Sequence, residues 1–365
     1  MSFPVAQEIE STLLEFVAMD LLHGEEEIDL MTPLLALGII DSLSMVSLLS
    51  FVQDRYHVAI PNDSITVEHF ENVASISAMI LERMESEPVV AHEEQTAMEQ
   101  AVRVLTAAGV QSRRHELGDG LVLHTLEVEG DDPLPWILLP GLGNPASSWG
   151  NLLKAMAGEH SAVAIDLVGF GLSTGPEAPH YRDHVEVLDR FLEARFGDRP
   201  VVLVGSSAGC LMALERARRH PQSTHALVLV GFGLIEDPEG WMAELDTLWK
   251  QPEEFLARTF YSPPKLNALL LEQFETIYGM KAYHSYLRPA DLAPSIFDGI
   301  GRPTLVVGGS DDRIIGFRAI RAAAERIPGA SLVELARCGH FPGQERAEEL
   351  VYTIRSFLEE LPDHE

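Results

Sequence analysis

The chain is short of cations, nearly free of cysteine and without long apolar runs. Lys and Arg number 26 against 56 Asp and Glu, a formal charge of −30 over 365 residues. Such a surface repels phosphate backbones and anionic lipid, so nucleic acid and acidic membranes are excluded as first-choice partners. No apolar stretch approaches the roughly eighteen residues of a membrane span. The opening Met1-Ser2-Phe3-Pro4-Val5-Ala6-Gln7-Glu8 lacks the basic start of an export signal. Cys210 and Cys338 are too few for a disulfide framework, and a chain this long needs none; a cytoplasmic location is expected. There is no Walker loop and no complete dinucleotide glycine pattern, so no nucleotide is expected.

The shortage of cations is uneven. Residues 1–88 hold sixteen acids against Arg55 and Arg83, a net −14, whereas the remaining 277 residues hold 40 acids against 24 bases, a net −16. The first lysine is Lys154. Near Glu87-Pro88-Val89-Val90-Ala91-His92 the text turns into an Ala-rich, weakly helical stretch. A domain boundary is placed there, with residues 87–112 as linker.

Helical periodicity dominates residues 1–86. Ile9, Leu13, Phe16, Val17 and Leu21 share one face of a helix entered after Pro4. A second helix follows Asp41, with Leu43, Val46, Leu49 and Val52 inward, and shorter ones fit residues 64–72 and 73–85. This is a small four-helix domain with a long loop, residues 23–40. In Gly38-Ile39-Ile40-Asp41-Ser42-Leu43, Asp41 suits an N-cap. Ser42 then takes the first helical position, where free N–H groups and the helix dipole favour a phosphodiester. A capped helix start in a small bundle is the plainer reading. The hexapeptide, together with the acidity and the Ile60-Pro61-Asn62-Asp63 turn, resembles acyl and peptidyl carrier proteins over residues 4–86. The resemblance implies 4′-phosphopantetheine on Ser42, a phosphopantetheinyl transferase to attach it, and acyl- or aminoacyl-loading enzymes or synthase modules as partners. Ser47 departs from that family, many members of which carry an acid there that partners read.

From residue 113 to 365 strands and helices alternate. Leu121–Val128, Trp136–Leu139, Ala162–Leu167, Val201–Val204, Ala226–Val230, Thr304–Val307 and Ser331–Leu335 read as strands of a mostly parallel sheet covered by helices. Residues 233–300 break the rhythm with helical, aromatic-rich sequence and are read as an inserted lid. Directly after the strand ending at Val204 stands Gly205-Ser206-Ser207-Ala208-Gly209, followed by a helix-like segment. A nucleophile on a tight strand-to-helix turn needs small residues two positions either side, so Ser207 is the candidate. Gly171-Leu172-Ser173-Thr174-Gly175 repeats the bare pattern but runs into Pro176 with no helix behind it, and is read as a loop.

A serine hydroxyl needs a general base, held in its tautomer by a carboxylate. Two further strands end in Gly308-Gly309-Ser310-Asp311-Asp312-Arg313 and Cys338-Gly339-His340-Phe341-Pro342, where open sheets place their sites. The order Ser207, Asp312, His340, with Pro342 and Glu345 following, resembles the α/β-hydrolase superfamily over residues 114–361. That pattern favours Asp312 as the acid, with Asp311 its competitor. An Asp-nucleophile hydrolase of epoxide or haloalkane type is disfavoured by Ser207. The resemblance implies oxyanion donors at the Ala208 amide and in the loop Pro140-Gly141-Leu142-Gly143-Asn144, with Leu142 the best match. Pro140 stands where the family usually has a histidine whose side chain braces that loop. His180 and His184 lie four apart, but no Glu follows His180 and no third ligand is evident. They are read as a helix start, and no metal is expected.

The fold class expected is thus an all-α four-helix carrier domain followed by an α/β hydrolase with a helical lid. A carrier holds an acyl thioester, and a serine triad attacks acyl carbonyls. The combination implies a thioesterase or acyltransferase acting on an acyl substrate, resembling the end of a biosynthetic assembly line for secondary metabolites. A flexible linker of about 25 residues spans roughly 25 to 30 Å, which sets an effective concentration on the order of millimolar. Two readings stand beside it: an esterase or carbon–carbon bond hydrolase on a free substrate, with the carrier as recruitment module, and a non-enzymatic carrier with a silent docking domain.

Overall fold

A computed structural model describes residues 6–22, 28–40, 42–56, 58, 60, 65–85, 97–132, 134–175, 180–264, 266 and 268–361. The chain forms two compact units, one of residues 1–110 with 267–270, the other of the remainder.

The first unit is helical. Helix α1 (Ala6–Phe16) continues through a π turn, Val17–Leu21, and buries Ile9, Leu13 and Val17. Helix α2 (Ser42–Tyr56) buries Met45, Leu48, Leu49 and Val52. This i, i+3, i+4, i+7 stripe shares Leu49 and Val52 with the expected face, while the side chains of Leu43 and Val46 lie outside the described residues. Thr66 caps the short α3 (Val67–Phe70) by accepting the His69 amide. Asn72 accepts the Ser75 amide at the start of α4 (Val73–Glu85), which buries Val73, Ile76, Met79 and Ile80. The loop between α1 and α2 is tied down where described: the Leu34 amide donates to the Glu71 carbonyl and the Ala74 amide to the Leu30 carbonyl. Asp41 and most of the Ile60–Asp63 turn lie outside the described residues.

The expected linker is not all linker. Residues 97–107 form helix α5 (Ala97–Ala107), and its Val104 joins the core of the first unit. Ala101, Val102, Val104 and Leu105 are buried, an apolar face that gains more packed against α2 than in water. The next strand already begins at Gln111.

The second unit is built on eight strands: β1 (Gln111–Gly118), β2 (Leu121–Val128), β3 (Trp136–Leu139), β4 (Ala162–Ile165), β5 (Val201–Ser206), β6 (Thr224–Val230), β7 (Thr304–Gly309) and β8 (Ser331–Leu335). Their order is β1-β2-β4-β3-β5-β6-β7-β8. The β1–β2 and β2–β4 pairs are antiparallel and the rest parallel. Strands β3, β5 and β7 are buried throughout, as parallel strands covered on both faces must be. Helices α6 (Gly150–Met156), α7 (Tyr181–Phe196) and α8 (Gly209–Arg219) precede the lid. The lid, between β6 and β7, consists of α9 (Pro238–Trp249), α10 (Pro252–Thr259), α11 (Ala268–Gly279), α12 (Lys281–Ser285) and two 3-10 turns. Helices α13 (Phe317–Arg326), α14 (Pro342–Glu345) and α15 (Ala347–Glu359) complete the unit.

Strand β1 has no counterpart in the sequence reading. Its Gln-Ser-Arg-Arg-His-Glu text carries almost no apolar signal, and it forms by pairing with β2 and by feeding charge to Glu127. That buried carboxylate meets His115 at 3.1 Å, Arg195 at 3.3 Å and Arg113 at 3.4 Å.

All four tryptophans, Trp136, Trp149, Trp241 and Trp249, belong to the second unit. Met45→Ala should therefore destabilise the first unit by about 2 to 5 kcal/mol. Helical circular dichroism would show an earlier urea transition while tryptophan fluorescence keeps its midpoint; an unchanged dichroism curve would contradict the packing described.

Candidate active site

Strand β5 and helix α8 meet in a turn with almost no room. A Cβ on Gly205 would lie 2.7 Å from the Cys210 backbone, and one on Gly209 2.3 Å from the Leu139 carbonyl oxygen; contacts that short do not occur between real atoms. The turn is closed by Ser207 in the left-handed region, φ 48°, a conformation that costs a non-glycine residue about 1 to 3 kcal/mol. The Ser207 amide donates to the Val230 carbonyl at 2.8 Å. Ser207 is half-buried, whereas its neighbour Ser206 is buried within β5.

His340 and Asp312 come together at the ends of β8 and β7. His340 Nδ1 is 2.8 Å from Asp312 Oδ2, and both side chains are buried. Asp312 Oδ1 accepts the Ile314 and Ile315 amides at 2.9 and 3.0 Å. Burial alone would push this carboxyl up, but the His340 ring and the Ile315 and Ile314 amides hold it below the usual carboxylate range. Its competitor, Asp311, instead accepts the Ser310 hydroxyl. The Val230 carbonyl that receives Ser207 adjoins Gly231, φ 61°, whose Cβ would lie 2.8 Å from the His340 carbonyl oxygen and 3.3 Å from Nδ1. The end of β6 therefore touches both Ser207 and His340.

Three contacts the sequence did not disclose hold the histidine. Its amide donates to the Thr259 carbonyl at 2.6 Å, at the end of lid helix α10. Glu345, whose carboxyl burial pushes up, accepts the Gly339 and Tyr261 amides, both at 2.8 Å. Phe341 packs on the His340 ring with centroids 4.9 Å apart. The Trp241 indole of α9 donates to the Ile314 carbonyl at 3.1 Å, so the lid is fastened to the acid loop as well.

Gly141 lies beside Ser207: a Cβ there would be 3.4 Å from Ser207 Cβ. The next residue, Leu142, lines an open pocket with Trp241, Met242, Leu245, Tyr283 and Leu287, and with Asp246 and His284 as its polar members. Ala208 stands at the start of α8. His180 and His184 do not converge: His180 Nε2 meets Asp291 at 2.8 Å, and His184 packs against Phe170 and Tyr286. Among the described residues no group of three His, Cys, Asp or Glu could hold a metal ion.

In the first unit the structure starts a 15-residue helix at Ser42. The first amides of such a helix lack intrahelical acceptors and its dipole favours an anion, which fits a phosphodiester there. The Ser42 side chain lies outside the described residues.

Two family models match the chain. That of the alpha/beta hydrolase family spans residues 136–352 and that of the phosphopantetheine attachment site residues 11–80. The chain belongs to the alpha/beta hydrolase family and carries a phosphopantetheine attachment domain ahead of it, which implies covalently bound phosphopantetheine. The chain is 28% identical over 284 residues to a 2-hydroxymuconate semialdehyde hydrolase of Pseudomonas sp. (strain CF600), covering 71% of this chain and 94% of that one. Among solved structures it resembles a putative lipase from Acinetobacter baumannii AYE (22% identity, TM-score 0.62, 74% of this chain and 98% of that one). It also resembles 2-hydroxy-6-oxo-6-phenylhexa-2,4-dienoate hydrolase from Rhodococcus sp. strain RHA1 (24% identity, TM-score 0.58, 68% and 99%). Among the described residues no helix is long and apolar enough to cross a membrane.

Because Asp312 is held low, its ionised form favours the fold. That contribution is complete above the ordinary carboxylate range and is lost as pH falls through the lowered folded value. The stability gap between wild type and Asp312→Asn should be widest near neutrality and close below about pH 4. Thermal unfolding across that range checks this, and a gap that widens on acidification contradicts it.

Proposed function

We propose that the protein is a serine thioesterase or acyltransferase acting on acyl thioesters, in a secondary-metabolite pathway. One observation carries the reading: a phosphopantetheine attachment domain shares a chain with a strained serine beside a buried His340–Asp312 pair. The attached group supplies a terminal thiol that carries an acyl chain as a thioester. Ser42, at the start of α2, would hold it after action of a phosphopantetheinyl transferase, and acyl- or aminoacyl-loading enzymes or synthase modules would be the further partners.

The hydrolase residues take the following roles in this reading. Asp312 faces Nδ1 of His340, which leaves Nε2 to take the Ser207 proton as Oγ attacks the thioester carbonyl. The developing oxyanion is received by the amides of Ala208 and Leu142. Collapse expels the thiolate, which takes the proton back from Nε2, and leaves an acyl ester on Ser207. Water, deprotonated by His340, then releases the acid; another nucleophile in its place makes the reaction a transfer. The pocket at Leu142, walled by aromatic and aliphatic side chains, suits an acyl chain.

A second reading, carbon–carbon bond hydrolysis on a free substrate, is favoured by the likeness to 2-hydroxymuconate semialdehyde hydrolase. The Asp246 carboxylate in the pocket wall weighs against an anionic acid lodged there.

Intact mass after incubation with coenzyme A and a phosphopantetheinyl transferase should show one added phosphopantetheine on wild type and none on Ser42→Ala; an unmodified wild type removes the carrier role. Acyl-loaded Ser207→Ala should keep its acyl group at least 100-fold longer than wild type, about the size of effect that loss of a nucleophile produces; equal rates remove the thioesterase. Met242→Trp should shift preference toward shorter acyl chains by roughly tenfold in kcat/KM, read on a series of acyl-pantetheine thioesters.

A further inference from the structure

The second Gly-x-Ser-x-Gly forms no elbow, yet the structure uses it. We propose that Asp166, fixed by His124 and by the Gly171–Ser173 loop, is the positioning residue for the oxyanion loop Pro140–Asn144, supplying the brace that Pro140 cannot. The proposal rests on the serine-hydrolase reading above.

Asp166 follows β4 and is buried. Its Oδ1 accepts the Ala146 amide at 2.5 Å, while Oδ2 accepts the Leu172 amide at 2.8 Å and lies 2.7 Å from His124 Nδ1. The remaining contacts fix the carboxylate in place. The Ser173 hydroxyl donates to the Asp166 carbonyl at 2.7 Å and accepts the His124 amide at 2.9 Å. His124 is buried in β2 and its Nε2 lies 2.9 Å from the Ser112 hydroxyl on β1. Gly171, φ 64°, leaves the carboxylate its space, since a Cβ there would fall 2.0 Å from its carbon. Two members of the unused motif, Gly171 and Ser173, are thus explained by one acid.

Ala146 is where this network reaches the active site. The segment from Pro140 to Pro145 hangs between the buried end of β3 and the Ala146 amide held by Asp166. Within it, Gly141 abuts Ser207 and Leu142 lines the pocket. Proline has no N–H and no side-chain donor, so Pro140 contributes no hydrogen-bond donor that could anchor the loop from within. A carboxylate accepts an amide about twice as strongly as a neutral group does. Asparagine at 166 would turn an NH2 toward one of the N–H donors that now converge on the acid. Displacing the loop by about 1 Å takes a donor out of line with the oxyanion, a loss on the order of 100-fold. Ground-state binding changes little, because apart from Leu142 the pocket walls belong to the lid.

The full-length protein would be assayed with an acyl-pantetheine thioester and, separately, with a fluorophosphonate that phosphonylates the active serine. Asp166→Asn should lower kcat roughly 10- to 100-fold with KM within about threefold, and should slow phosphonylation in step. Ser173→Ala, which keeps the carboxylate and removes one tie, should show the same split at about three- to tenfold. If Asp166→Asn does not fold, Ser173→Ala decides. Wild-type kcat and labelling rate in a folded variant, or a rise in KM with kcat unchanged, overturns the proposal. Absence of labelling at Ser207 in the wild type overturns the serine reading itself, and is seen before any variant is made.

Discussion

The helix that starts behind Ser207 is pressed against the carbonyl end of a neighbouring strand, and the site depends on that contact. Gly209 touches the Leu139 carbonyl and Gly205 the Cys210 backbone, distances that only hydrogen in place of a side chain permits. The squeeze forces Ser207 into left-handed φ and lifts it out of the sheet, with the amide of Ala208 immediately after it. Because the Ser207 amide is hydrogen-bonded to Val230 and the following Gly231 lies against His340, Ser207 and His340 are set at one strand end.

The acid and the histidine are held from the other direction, by the lid. Thr259 accepts the His340 amide, Tyr261 and Gly339 share Glu345, and Trp241 reaches Ile314, whose amide is itself on Asp312. The Thr259 and Trp241 links each join a lid helix to a loop bearing a proposed catalytic group. Movement of α9 or α10 would therefore reach the Asp312–His340 pair through the backbone.

Much of this was legible in the letters. Seven of the eight strands stood out because they are written in short apolar runs, continuous in buried parallel strands such as β3 and β5, and the elbow stood out because glycine is required on both sides of it. Strand β1 was not legible: its partners are the backbone of β2 and the buried Glu127, neither of which leaves an apolar trace. The α5 segment read as weakly helical, but its place in a core was hidden in the expected linker, because a short Ala-rich helix looks alike whether or not a core awaits it. On α2 the expected Leu49 and Val52 are buried, and Met45 and Leu48 join them; several apolar residues in one short helix admit more than one stripe. Asp312 was favoured over the adjacent Asp311 on the family pattern, and it is Asp312 that meets His340; Asp166 drew no notice because two of its partners, His124 and Ala146, are distant in sequence.

The polar strand at the sheet edge has a bearing on how such a chain survives crowding. An open edge offers unpaired amides and carbonyls to any other strand, and two identical molecules held close together are each other's nearest template. Here the outer strand alternates Arg113, His115 and Leu117, half-buried, with exposed Ser112, Arg114 and Glu116. An incoming copy in register would meet like charge and would have to strip water from arginine to pair. A protein whose carrier half invites encounters with other chains thus discourages them from pairing along this edge through the solvation of its charged side chains.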